Sequence, residues 1–261
     1  MNERVRARVI GLMVAMTSFA LSGDLIQAAD WEWTLAPYAW GAGLKMDLTV
    51  NDNAVASTEV DFSDLLDKTD MAGMVHFEGR NGKGGFFVDA LFMALSDERT
   101  TAPPPPLPGG AQIDAELNQF IAEGGGFWRL GGGESGLDIL FGVRAMGIDS
   151  EVDITFPSPS TTKVTTGSDE TFIDGFVGAR YSHPIGGKWD WALRGDVGTG
   201  DTDVTWNAVG TVGVRFGDTG KYSLRFGYRQ MEMDFENDDS GAKIETDITF
   251  SGAIAGFVIK W

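Results

Sequence analysis

Apolar and polar residues alternate with a period of two along most of this chain, and that pattern restricts its fold more than any other feature. Leu137, Ile139, Phe141, Val143 and Ala145 take one parity, while Asp138, Gly142 and Arg144 take the other. Ile173, Val177, Ala179 and Tyr181 alternate with Asp174, Gly178 and Arg180, and Trp206, Ala208, Val212, Val214 and Phe216 with Thr205, Asn207, Thr211 and Arg215. Tyr222, Leu224, Phe226 and Tyr228 alternate with Ser223, Arg225, Gly227 and Arg229. Successive side chains of a strand point to opposite faces, so each run predicts a strand with one apolar and one polar face. No run sustains a helical period. The chain reads as all-β.

Turn chemistry orders these strands. Short glycine-rich turns fall at Asn81 to Gly84, Leu130 to Gly136, Pro184 to Lys188 and Gly217 to Lys221. Longer polar connections alternate with them, at about Gly43 to Thr69, Asp97 to Gln112, Ser150 to Asp169, Gly200 to Asp203 and Asp234 to Lys243. Nine links join ten strands, and short turns on one side with long loops on the other mark an antiparallel up-and-down transmembrane β-barrel. Counts of eight or twelve strands stay open. The apolar parity shifts midway between Ile113 and Trp128, which predicts a β-bulge there.

Charge and composition narrow the partners. With 20 basic and 38 acidic residues the net charge is -18, leaving no basic surface for nucleic acid. The absence of cysteine excludes disulfides, thiolate metal sites and a cysteine nucleophile. Arg4, Arg6 and Arg8 precede an apolar run from Val9 to Leu21 and the small residues Ala28 and Ala29. That order predicts a cleaved signal peptide over residues 1–29 and one mature barrel domain over 30–261. No later stretch is apolar enough for a spanning helix, so insertion into a membrane requires a barrel.

Aromatic residues cluster near strand ends. Trp31, Trp33, Phe86, Phe87, Trp128, Tyr181, Trp189, Trp191, Phe216, Tyr222, Phe257 and Trp261 fall near the short-turn ends. Phe92, Phe172, Trp206, Tyr228, Phe235 and Phe250 fall near the long-loop ends. Two such bands predict girdles at the lipid–water boundaries. A soluble barrel with polar residues outside is the rival architecture, but the polar faces carry Asp, Gly, Asn and Arg more than long lysines.

The chain ends Phe257-Val258-Ile259-Lys260-Trp261, with apolar Phe257 and Ile259 alternating toward an aromatic C-terminus. This resembles the assembly signal of Gram-negative outer-membrane barrels, which the barrel-assembly machinery reads by strand addition. The opening Trp31-Glu32-Trp33-Thr34-Leu35-Ala36-Pro37-Tyr38-Ala39-Trp40, the following Gly43-Leu44 and the segment Val60-Asp61-Phe62-Ser63-Asp64-Leu65-Leu66-Asp67 resemble a largely uncharacterised outer-membrane β-barrel family. The resemblance implies a barrel in the bacterial outer membrane. It transfers no catalytic residues and implies no cofactor.

Inward-facing charge is the main candidate site. The polar parity carries His76, Glu78, Arg80, Asp89, Asp138, Arg144, Asp174, Arg180, Arg194, Asp196, Arg215, Arg225 and Arg229, together with Asp114, Glu116 and Asp190. In a narrow barrel these groups can pair across the lumen and fill it, or form a selective constriction for small, preferably cationic solutes. The first reading makes the protein structural or surface-active with a mostly occluded lumen; the second makes it porin-like. Asp61, Asp64, Asp67 and Asp70 recur every three residues without any calcium-loop pattern; they read as a solvated acidic face with Asp61 or Ser63 as a helix cap, the alternatives being divalent-cation binding or a lid over the barrel mouth. The Asp201-Thr202-Asp203 and Asn237-Asp238-Asp239 runs could meet lipopolysaccharide through divalent cations, or serve solubility alone. Only His76 and His183 could act as imidazole bases and neither belongs at the long-loop rim, so no enzyme is expected. The Pro103–Pro106 run followed by Pro108-Gly109-Gly110 reads as a stiff surface spacer.

Overall fold

The computed structural model describes residues 31–100, 112–131, 135–156, 162–217, 220–239 and 242–261. The expected signal peptide and the proline run lie outside the described residues. The elements are β1 (Trp31–Val50), β2 (Asn53–Val60), the short helix α1 (Phe62–Asp67), β3 (Thr69–Asn81), β4 (Gly84–Thr100), β5 (Gln112–Leu130), β6 (Gly136–Phe156), β7 (Thr162–Gly186), β8 (Trp189–Gly200), β9 (Val204–Phe216), β10 (Tyr222–Asp239) and β11 (Ala242–Lys260). Consecutive strands pair antiparallel from β3 to β11, β3 neighbours β1, and β1 pairs with β11 from Thr34↔Lys260 to Val50↔Ile244. That last pairing closes a barrel of ten strands, with β2 as one additional strand beside the outer part of β1. Closure removes the sheet edges from the inner part of the ten-strand barrel, and β2 remains an edge beside the outer part of β1.

Most of the expected long loops are strand. β6 and β7 pair from Gly136↔Ser182 to Phe156↔Thr162, and β10 and β11 from Tyr222↔Ile259 to Asp239↔Ala242. Polarity suggested loops, yet Val152, Ile154, Val164, Thr165 and Thr166 are β-branched and continue the ladder as hairpins. Between β1 and β2, Asn51 and Asp52 take positive φ (48° and 62°), the left-handed turn that Asn and Asp tolerate. The expected bulge in β5 is absent: its registers with β4 and β6 run unbroken from Gly84↔Trp128 and Leu130↔Leu137 outward. The sequence shows a parity shift because Ile121 and Phe127 are apolar residues facing inward, near Gly124, Gly125 and Gly126. Asp114 and Glu116 share the parity of exposed Trp128, so they face outward on the extended part of β5, against the expectation for them.

The outer wall is apolar. Ile139, Phe141, Val143, Val177, Leu193, Val197, Val212, Leu224 and Phe226 are exposed on it, bordered at the short-turn end by Trp128, Tyr181, Trp189, Phe216, Tyr222 and Trp261. An exposed apolar surface this continuous is matched by hydrocarbon rather than water. Phe87, Phe172, Phe235 and Phe250, assigned above to the girdles, belong to the interior instead. Phe87 and Phe250 are buried, and the Phe172 and Phe235 rings meet at 4.8 Å beside the inner apolar cluster. In β11 both parities are apolar, with Ile248, Phe250 and Val258 on one and Ala253, Phe257 and Ile259 on the other, so alternation alone could not orient Phe250.

Candidate functional site: the barrel interior

Read from the short-turn end, the inward positions repeat one order on several strands. β5 presents Arg129, Phe127, Gly125, Glu123, Ile121 and Gln119; β6 presents Asp138, Leu140, Gly142, Arg144 and Met146; β10 presents Arg225, Gly227, Arg229, Met231 and Met233. Because these strands pair in continuous register, like residues fall at like heights and form tiers: ionic, aromatic, ionic, apolar.

The first ionic tier centres on Asp138. Arg129 Nε donates to Asp138 Oδ1 at 2.7 Å, while Arg80 Nη2 (3.1 Å) and Arg180 Nη2 (2.9 Å) donate to Oδ2. Arg180 also donates to Glu78, at 2.5 Å and 3.2 Å. Nearby, Arg225 pairs with Asp190 and donates to Thr211 Oγ1 at 2.9 Å. Above lies the cluster of Phe87, Phe127, Leu140 and Phe176. Its rings carry guanidinium groups on both sides, with Arg80 4.5 Å and Arg180 5.1 Å from the Phe127 centroid and Arg144 5.2 Å from that of Phe176. Cation–π contact lets planar arginines pack against apolar rings without abandoning their carboxylates.

The second ionic tier is more deeply buried. Arg144 donates to Glu123 Oε1 (2.9 Å), Asp196 Oδ1 (2.5 Å) and Thr205 Oγ1 (3.2 Å). Arg194 bridges the same two carboxylates at 2.7 Å and 2.8 Å. Arg229 Nε donates to Asn207 Oδ1 at 2.9 Å, and its Nη2 lies 3.4 Å from Glu123. Tyr38 donates to Asp89 at 2.7 Å, and His76 Nδ1 lies 3.1 Å from the other oxygen of that carboxylate. Each buried carboxylate is therefore met by donors, as burial of charge requires.

The structure thus brings together His76, Glu78, Arg80, Asp89, Asp138, Arg144, Arg180, Arg194, Asp196 and Arg229. Besides the outward Asp114 and Glu116, four expected members stand apart: Asp174, Arg215, Arg225 and Asp190. Asp174 is fully buried but accepts from Thr202 N and Oγ1 (3.1 and 2.8 Å), pinning the β8–β9 turn, rather than pairing with an arginine. Arg215 reaches the carbonyl of Gly187 at 3.5 Å in the short turn, and Arg225 belongs to the separate Asp190 pair. Sequence reasoning missed Tyr38, Glu123, Arg129, Thr205 and Asn207. Glu123 and Arg129 sat in the strand whose parity was misread, and the neutral members carry no charge to flag them. The C-terminal Phe257 and Ile259 share the outward parity of exposed Trp261, whose backbone bonds Trp33 N–H and C=O at 2.9 and 3.1 Å.

Above the second tier the interior turns apolar: Trp40, Leu91, Ile121, Met146, Met231, Met233, Ile248 and Phe250 form one buried cluster. Helix α1 lies over it, and its buried Leu65 lines a small cavity with Trp40, Leu91, Met93, Ile121 and Phe250. Asp61 is the N-cap residue of α1, but its side chain makes no capping bond. The loop carboxylates also differ from free cation ligands: Asp201 Oδ2 accepts Ile173 N–H at 2.8 Å, and Asp203 Oδ2 accepts Glu236 N–H. Among the described residues no three His, Asp or Glu side chains converge as a metal site. At the opposite end Ser135 Oγ and His183 Nδ1 lie 2.7 Å apart on the surface, with Tyr181 and Trp191 as the ring neighbours of His183.

No protein-family model and no curated protein matches the chain. Solved structures do. The outer membrane protease OmpT from Escherichia coli aligns over 90% of this chain and 98% of its own, with 7% identity and a TM-score of 0.51. The fold is that of a Gram-negative outer-membrane β-barrel. The translocator domain of autotransporter NalP from Neisseria meningitidis aligns over 98% and 96% (10% identity, TM-score 0.42). The attachment invasion locus protein Ail of Yersinia pestis aligns over 86% and 99% (7%, TM-score 0.29). At these identities the likeness to OmpT carries the barrel fold and nothing of its protease activity.

Proposed function

We propose that this barrel is an integral outer-membrane protein with a sealed lumen, acting structurally or through its outer surface rather than as an open channel or an enzyme. The carrying observation is burial: Asp138, Arg144 and Met231, in three of the four tiers, are each 0% exposed. Side chains fill small barrels, and here they do so with paired charges that have no slack for an ion to replace. The non-enzymatic reading draws on His76 being enclosed between Asp89 and Glu78, and on surface Ser135 being the polar partner of His183 among the described residues. Export through the N-terminal signal, assembly through Phe257, Ile259 and Trp261, and cation-bridged contact with lipopolysaccharide belong to the same proposal. Reconstituted in a planar bilayer, the folded protein is expected to give no discrete conductance steps. Salt-dependent steps with cation preference would replace this reading with that of a narrow porin-like channel.

A further inference from the structure

The apolar end of the interior has features that a mere plug does not need. Its cavity beneath α1 is about 40 Å³, room for little more than a water molecule at roughly 30 Å³. One wall is Trp40, which is 6% exposed and whose indole Nε1–H is buried with no acceptor. A buried donor without a partner is costly, and an acceptor delivered by a ligand would satisfy it. Gln119, also 6% exposed, brings a second polar residue to the lining of the same cavity. Met74 and Met93 line the cavity too, and Met146, Met231 and Met233 belong to the apolar cluster that contains Trp40; these are unbranched side chains that re-pack around differently shaped guests. The floor is the second ionic tier, with the Arg229 guanidinium 4.8 Å from the Trp40 ring. Anything entering from outside stops there.

The roof is the weakest part of the wall. α1 has six residues, far fewer than an isolated helix needs. Leu65 is its one buried residue, while Phe62 and Leu66 remain 43% and 56% exposed. Its tethers are the Thr69 Oγ1 bond to Leu65 O (2.7 Å), the Ser96 N–H bond to Lys68 O (2.9 Å) and the half-exposed Lys68–Asp97 ion pair (3.2 Å). Leu65 thus occupies apolar space that a guest could take once α1 lifts. Exposed Asp61, Asp64 and Asp67 on that roof disfavour an anionic guest.

We propose that the chamber beneath α1 is a binding site for a small, neutral, mainly apolar molecule bearing one hydrogen-bond acceptor, such as a ketone or ether, admitted by lifting α1. The acceptor takes the Trp40 N–H, the hydrocarbon takes the place of Leu65, and the methionines close around it. This site is independent of whether the lumen below conducts.

The test uses the full-length protein with nitrogen-15-labelled tryptophan in lipid nanodiscs, the Trp40 indole signal being identified by its loss in Trp40→Phe. Cyclohexanone is expected to move that signal saturably while the other seven of the eight tryptophans stay in place. Methylcyclohexane, which has no acceptor, should bind at least about fivefold more weakly, the loss of one satisfied buried donor. Because the chain has no cysteine, Lys68→Cys with Asp97→Cys makes a single disulfide that locks α1 down. The oxidised form should lose the response and the reduced form regain it. Leu65→Ala, which vacates the chamber without a lock, should tighten cyclohexanone several-fold. Folding of each variant is read from heat-sensitive gel mobility. A Trp40 signal that does not move, equal movement of all indoles with both probes, an oxidised form that responds as the reduced one does, or Leu65→Ala affinity that is unchanged would each overturn the proposal.

Discussion

Inside this barrel two environments meet within a single pleat. Arg144 and Met146 are neighbouring inward positions of β6, as are Arg229 and Met231 on β10, Asp89 and Leu91 on β4, and Glu123 and Ile121 on β5. Inward neighbours lie about 7 Å apart along a strand, so charge gives way to hydrocarbon across one side-chain layer. Below that line, arginines and carboxylates interlock through directional hydrogen bonds. Above it, methionines and rings are held by contact alone. The difference separates two kinds of filling: an ionic network ties each member to directional partners, and an apolar one leaves space that can be re-packed. A barrel needing only to be plugged could use either throughout.

The sharpest way to break the comparison is to remove one charge from the rigid half. Arg144→Met leaves Glu123 and Asp196 buried with one donor fewer each. Breaking a buried pair from one side typically costs about 3–5 kcal/mol, since the orphaned charges remain desolvated. The denaturant midpoint for unfolding from lipid vesicles should fall accordingly, and a loss under about 1 kcal/mol would mean that water already enters the tier. Met231→Ala, one layer up, should cost less, about 2–3 kcal/mol, because it deletes contacts without stranding a charge. Met231→Leu should cost less than about 1.5 kcal/mol if the apolar half tolerates re-packing. An equal penalty for Met231→Leu and Met231→Ala would show that half to be as geometrically specified as the ionic one.

How much of this was legible in the sequence follows from what alternation reports. It separates two faces of a strand, so the all-β barrel, the short turns and most of the inward arginines could be read from parity. It does not say which face is inside where both are apolar, which is why Phe87 and Phe250 were assigned to the girdles. It does not report height along the lumen either, so the apolar upper tier of Met146, Met231 and Met233 was invisible as a unit. Asp174 shows a third limit: parity gives its face, but its partner is a turn threonine that only the folded chain brings near. The long hairpins read as loops in the sequence because their acidic composition outweighs their β-branched residues.

The outer wall supplies the contrast in its mildest form. Above the apolar belt, Asp47, Asp247 and Asp234 stand directly opposite one another on β1, β11 and β10, carboxylate beside carboxylate with no arginine between. Partial burial, and then the neighbouring carboxylates, raise Asp247 and Asp234 above the usual carboxylate range. Asp234 feels Asp247, Glu232 and Asp203; Asp247 feels Glu232, Glu245 and Asp47, with Lys45 alone opposing. A raised carboxyl binds its proton more tightly folded than unfolded, so its contribution declines as pH rises from the unfolded value through the folded one. At neutral pH both groups are therefore a burden that acid removes. Asp247→Asn should stabilise the protein slightly at pH 7, and the gain should vanish below about pH 4, where the unfolded carboxyl is itself protonated. Denaturant midpoints for both proteins at the two pH values measure this directly. A gain of equal size in acid would mean that the asparagine acts through packing, and that the wall, like the ionic tiers inside, has already balanced its charges.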